Sequence, residues 1–150
     1  VDAISIFDPF AFIAEKQMGD KGVTFADPDI YSELYVITVR QEMLDQNRAT
    51  VDGLLRALVK AQQFINDNPD QAKEIVIKYT KLDRDVVDGI WKNFVFAPAL
   101  NQQLLDYQNQ QAAWAKEKGT IPANATVPDF RQGIFADALR GVKPEAVKLP

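Results

Sequence analysis

The 150-residue chain contains no cysteine and no histidine. Without cysteine, disulfides, thiol nucleophiles and thiolate metal sites are excluded. Without histidine, the commonest general base and the commonest transition-metal ligand are gone. Neither a Ser-His-Asp nor a Cys-His arrangement can therefore be assembled within the chain. Carboxylates remain as acid–base groups, but no motif singles out a working pair. No basic cluster is present, and a net charge of −4 with a pI near 4.8 argues against nucleic acid as a partner, since its binders need a basic face. No apolar run approaches the roughly 18–20 residues of a membrane span. The chain also starts without Met or a signal peptide, and Val1 leads almost directly into a strand-like stretch. That start reads as a processed form or a fragment.

What is present is ordinary for a soluble globular domain with a substantial core: 47% hydrophobic and 25% charged residues. Near the start, residues 2–7 alternate apolar and polar positions and are rich in β-branched side chains, which predicts a strand. Asp8-Pro9 ends it and opens a helix, with Asp8 as N-cap and Pro9 at the first helical position. Phe10, Ile13 and Ala14 carry helical spacing on to Met18, and Gly19 is a stop. Such a strand–helix junction, with aromatic side chains beside it, is a place where α/β proteins often hold small ligands. It is also an ordinary capped junction with core phenylalanines.

Residues 23–25 predict a second short strand, and residues 33–39 (ELYVITV) a third. In the last, Leu34, Val36 and Thr38 share one face and Tyr35, Ile37 and Val39 the other, so it reads as a strand covered on both sides. Its neighbours in a sheet are hardly supplied by the remaining sequence.

From Arg40 onward the pattern is helical. A short helix covers 41–46, and Asn47 opens a long one to about Asn66 with Val51, Leu54, Leu55, Leu58, Ala61 and Ile65 on its inward stripe. Pro69 breaks it. The next helix, 70–81, turns Ala72, Ile75, Val76 and Tyr79 inward, and Val86, Val87, Ile90 and Trp91 form the stripe after that. Residues 94–98 are extended. A helix at 101–118 is followed by Gly119, a loop at 120–128, and a weak helical tail. No repeat or interdomain linker appears.

The stretch Asp2-Ala3-Ile4-Ser5-Ile6-Phe7-Asp8-Pro9-Phe10 resembles a signature of periplasmic substrate-binding proteins for nitrate, sulfonates, taurine and thiamine-pyrimidine precursors. Tyr31-Ser32, then residues 35–40, resemble that family's strand returning between lobes. Asn68-Pro69-Asp70, the turn at 79–83, and Trp114 to Pro122 resemble later steps of the same family, in order. Phe7 stands where Trp is frequent, and Asp8 where Glu is.

The resemblance implies an α/β chain. It would be the C-terminal half of a type II periplasmic-binding-protein-like two-lobed fold, few short strands followed by a mainly helical region. Residues 1–32 would end the second lobe and cross the hinge, and 33–150 would return to the first lobe. Phe7, Asp8, Phe10, Tyr31 and Ser32 would bind a small solute in the interlobe cleft, with no cofactor and no catalysis. The implied partners are the solute, a membrane permease of an ABC-type importer, and either the missing N-terminal half or a second copy. The implied location is periplasmic, or extracytoplasmic and lipid-anchored. Asp8 beside a helix N-terminus favours a donor-bearing solute as much as an oxyanion. Two alternatives stand beside this reading. One is a thiamine-pyrimidine synthase-like enzyme of the same fold. The other is a standalone helical interaction module, whose mark would be an exposed apolar stripe on residues 101–118.

Overall fold

Helices make up nearly all of the regular structure in the computed structural model, which describes residues 1–27, 30 and 32–149. They are α1 (Phe10–Met18), α2 (Gln41–Gln46), α3 (Arg48–Asp67), α4 (Pro69–Thr80), α5 (Arg84–Ile90), α6 (Gln102–Glu117) and α7 (Ala136–Val142). Each lies close to where the sequence predicts it, because the signals that start and stop a helix are local. Pro69 occupies the first turn of α4, where its missing N–H has no partner to lose. Gly19 and Gly119 take φ of 51° and 69° just past α1 and α6. The helix predicted for 70–81 stops one residue early. Lys81 adopts the left-handed conformation instead, and its N–H donates to the Ile77 carbonyl at 2.9 Å.

The predicted strands did not form. Among the described residues the strands are β1 (Leu100–Asn101) and β2 (Val147–Lys148), paired in parallel with Leu100 opposite Val147 and Asn101 opposite Lys148. Residues 2–7, 23–25 and 33–39 lie outside any ladder. Their composition suits strands, but a strand is completed only by hydrogen bonds to a neighbour. Among the described residues, none of these stretches is paired in a ladder.

This corrects the expected fold. A type II periplasmic-binding-protein-like architecture is built on a β-sheet in each lobe. Among the described residues, seven helices with one two-residue strand pair do not provide such a sheet. The resemblance to that family fails at this level, since its motifs are short helix–turn signatures that many folds satisfy.

The chain divides into two compact units. One comprises Val1–Glu33 and Gln62–Phe96, the other Leu34–Ala61 and Ala97–Pro150. In the first, α1 and α4 both pack on α5. The buried residues there are Val86, Val87 and Ile90 of α5 with Ala72 of α4. Gly89 lies so close to the Phe12 ring that an added Cβ would overlap it, so the approach of α1 to α5 depends on the absent side chain. Lys16 pairs with Asp85 across α1 and α5, and Arg84 with Glu74 across α5 and α4. Lys73 Nζ donates to Asp88 at 2.8 Å and sits 5.8 Å from the Trp91 ring centre. That hydrogen bond holds the Asp88 carboxyl below the usual aspartate range.

In the second unit the buried residues are Val51, Leu105, Ala138, Leu139 and Ala146. β1 runs directly into α6, while α7 packs against β2 and the tight turn before it. The Arg48 guanidinium lies 4.6 Å from the centre of the Phe135 ring. The inward stripes of the helices are only partly buried. Leu54, Ile75 and Tyr79, expected inward, are exposed.

Candidate functional site

At the junction expected to bind solute, both carboxylate oxygens of Asp8 are engaged within the chain. Asp8 Oδ1 accepts from the Phe12 N–H at 3.2 Å, so Asp8 bonds into the first turn of α1, but Pro9 and not Asp8 takes the N-cap position, one residue later than expected. Asp8 Oδ2 accepts from Asn93 Nδ2 at 2.9 Å. Phe7 and Phe10 meet edge to face, ring centres 5.8 Å apart, and both are exposed. Ser32 is half-buried. Tyr31 lies outside the described residues. The structure thus brings together Phe7, Asp8 and Phe10, and adds Asn93, which no spacing in the sequence connects to Asp8. Trp91, Phe94 and Phe96 form an aromatic cluster in the same unit, with ring centres 5.0 Å apart for Trp91–Phe96 and 6.0 Å for Phe94–Phe96.

The capping geometry carries its own prediction. Asp8→Ala removes the acceptors for both Phe12 and Asn93 and should lower stability by about 0.5–2 kcal/mol, the range for losing an N-cap. Asp8→Asn keeps one carbonyl oxygen for the Phe12 N–H and should lose less. Thermal unfolding of both variants checks this; an Asp8→Ala protein as stable as the parent removes the capping role.

A second feature is an open groove of about 550 Å³ in the other unit, between α6 and the stretch from Val127 to Arg131. Asp129 and Arg131 form a forked pair on its rim. Arg131 Nε donates to Asp129 Oδ1 at 2.9 Å, Nη2 to Oδ2 at 3.2 Å, and the Arg131 backbone N–H to Oδ1 at 3.1 Å. The guanidinium bonds, and then the backbone one, hold the Asp129 carboxyl below its ordinary range. The pair therefore persists at neutral pH and is lost only as pH falls through that lowered value.

The third feature is apolar surface. The expected exposed stripe on residues 101–118 is absent, because Leu105 is buried and Leu104, Gln108, Ala112 and Ala115 are half-buried, leaving Trp114 exposed. A continuous run of exposed apolar side chains lies instead before α2, outside any helix or ladder. Leu34, Tyr35, Val36, Ile37 and Val39 are all exposed, Val36 and Ile37 at 58%. This patch follows from the two-faced apolar pattern that the sequence showed. Its exposure is what the sequence did not show.

Among the described residues, no group of three or more acidic side chains is placed to hold a metal ion, and no helix is long and apolar enough to cross a membrane. Compared with known proteins, the chain matches no family model, no curated protein and no solved structure. The role of solute-binding subunit of an ABC-type importer, with a solute and a permease as partners, fails with its fold. It required two sheet-built lobes, and the helical architecture supplies neither.

Proposed function

We propose that this chain is a helical, non-catalytic interaction module that docks another polypeptide along residues 34–39. The observation that carries the reading is a run with five apolar side chains in six residues, exposed and in no ladder among the described residues. A strand apolar on both faces belongs inside a sheet with covering layers on each side. The occupant is therefore a partner that offers an open sheet edge and apolar cover, as in recognition by strand addition. The segment is anchored at one end, where Arg40 in extended conformation leads into α2.

Magnitudes indicate what such docking rests on. Full burial of an apolar side chain contributes about 1.5–3 kcal/mol. The five side chains here are already partly covered, so together they contribute roughly half the full amount, about 4–8 kcal/mol. Association costs at least about 4 kcal/mol. Side-chain burial thus little more than offsets that cost, and main-chain hydrogen bonds must supply the surplus.

Ile37→Pro should accordingly abolish docking, because it removes a ladder N–H. A photo-cross-linking residue at position 35, placed in the full chain in cells, provides the readout. The expected result is one discrete heterologous adduct, mapped by mass spectrometry to an edge strand. A peptide of residues 33–40 should compete with it, the same peptide N-methylated on its backbone should not, and Ile37→Pro should eliminate the adduct. Adducts only to the chain itself, adducts that survive Ile37→Pro, or no adduct would each overturn the reading.

A further inference from the structure

The groove of the second unit has a character distinct from the docking run. One wall is a single stripe of α6, with Gln102, Leu105 and Asn109 at positions i, i+3 and i+7. The other is Val127-Pro128-Asp129, followed by the tight turn Phe130–Gly133. Pro128 disfavours helical backbone at Val127. The only charges lining the groove are Asp129 and Arg131, and each cancels the other through two parallel hydrogen bonds. What remains is neutral: carboxamides on one wall and apolar surface from Leu105, Val127 and Phe130.

These features select a ligand. A charged ligand would find no uncompensated counter-charge and would lose hydration for nothing in return. A small solute needs to be enclosed over most of its surface, which an open groove does not do. A peptide main chain fits better, because each amide both donates and accepts, as a carboxamide does. Gln102 Nε2 is engaged with Asp106 Oδ1 at 2.8 Å, which leaves its carbonyl oxygen to accept. Gln102 and Asn109 are seven residues apart on α6, about 10.5 Å along the axis. That span matches roughly three residues of extended chain at about 3.3 Å each.

We propose that the groove between α6 and Val127–Pro128 binds an uncharged, extended peptide segment. Its main-chain amides bond to Gln102 and Asn109, and one apolar side chain rests against Val127 and Phe130. This binding is independent of docking along residues 34–39.

The probe is a capped five-residue peptide, Ser-Val-Ser-Val-Ser, titrated into the ¹⁵N-labelled full chain and followed by NMR. Capped peptides with lysine or glutamate in place of serine, and valinamide, serve as comparisons. Saturable shifts at Gln102, Asn109, Val127 and Arg131 are expected with the neutral peptide, weaker ones with both charged peptides, and none with valinamide. Asn109→Ala, at an exposed helix position, should weaken binding about tenfold through loss of its hydrogen bonds. Arg131→Gln leaves Asp129 unpaired and should turn the preference toward the lysine peptide. Ile37→Pro should leave all of these shifts in place, which separates this proposal from the docking one. Absence of saturable shifts, shifts centred elsewhere, equal binding of charged peptides, or unchanged affinity in Asn109→Ala would each overturn it.

Discussion

Replacing Val87 by Asp should unfold the unit formed by Val1–Glu33 and Gln62–Phe96. Val87 is 1% exposed, on the helix against which both α1 and α4 pack. A carboxylate placed there has no buried partner, and an uncompensated buried charge costs several kcal/mol. Typical domains hold only about 5–15 kcal/mol of stability in total. Val87→Ala, which removes two methyl groups and leaves a cavity, should cost about 1–3 kcal/mol and keep the fold. Hydrogen exchange on the full chain checks the pair: Val87→Asp should lose protection throughout α4 and α5, whereas Val87→Ala keeps protection at a lower level. A Val87→Asp protein with native exchange in α5 would place the core of this unit elsewhere.

Leu105→Ala should destabilise the second unit by about 2–5 kcal/mol, the range for truncating a buried leucine. Leu105 is 4% exposed, whereas its neighbour Leu104 is half-buried and Leu104→Ala should cost clearly less. The contrast between adjacent leucines tests how α6 is turned, because a helix rotated by one residue would exchange their effects. Urea unfolding of both variants measures it. Equal midpoints for the two would overturn the facing of α6 and, with it, the floor of the groove.

Neither facing could be read with certainty from periodicity. The pattern at α5 placed Val86, Val87 and Ile90 inward, and they are buried, whereas Trp91 of the same expected stripe is only half-buried. In α3 and α4 the same reasoning turned Leu54, Ile75 and Tyr79 inward, and they are exposed. An apolar stripe indicates which face of a helix would gain from burial, but a neighbouring element must be there to bury it. The candidate site divides in the same way. That Asp8 bonds into the first turn of α1 is a matter of neighbours in sequence, although Pro9 takes the N-cap position in its place. Its bond to Asn93 spans 85 positions, and no local signal announces it. The groove likewise joins α6 to residues about twenty positions further on.

The expectation of a two-lobed sheet protein failed through the same distinction. Its support came from residues 2–10, 31–40 and 68–70, each a local junction. Several of those junctions are present: α1 begins after Asp8-Pro9, and α3 gives way to α4 at Asn68-Pro69. By itself the sequence determined the helices and their ends, because a helix closes its hydrogen bonds within a few residues and its caps lie beside it. It also determined, through the missing cysteine and histidine, which catalytic and metal chemistries this chain cannot perform. Only the tertiary structure decided that residues 33–39 are an exposed run outside any ladder and not a covered strand. A strand's hydrogen bonds and both of its covering layers come from elsewhere in the chain, and here the described residues do not provide them.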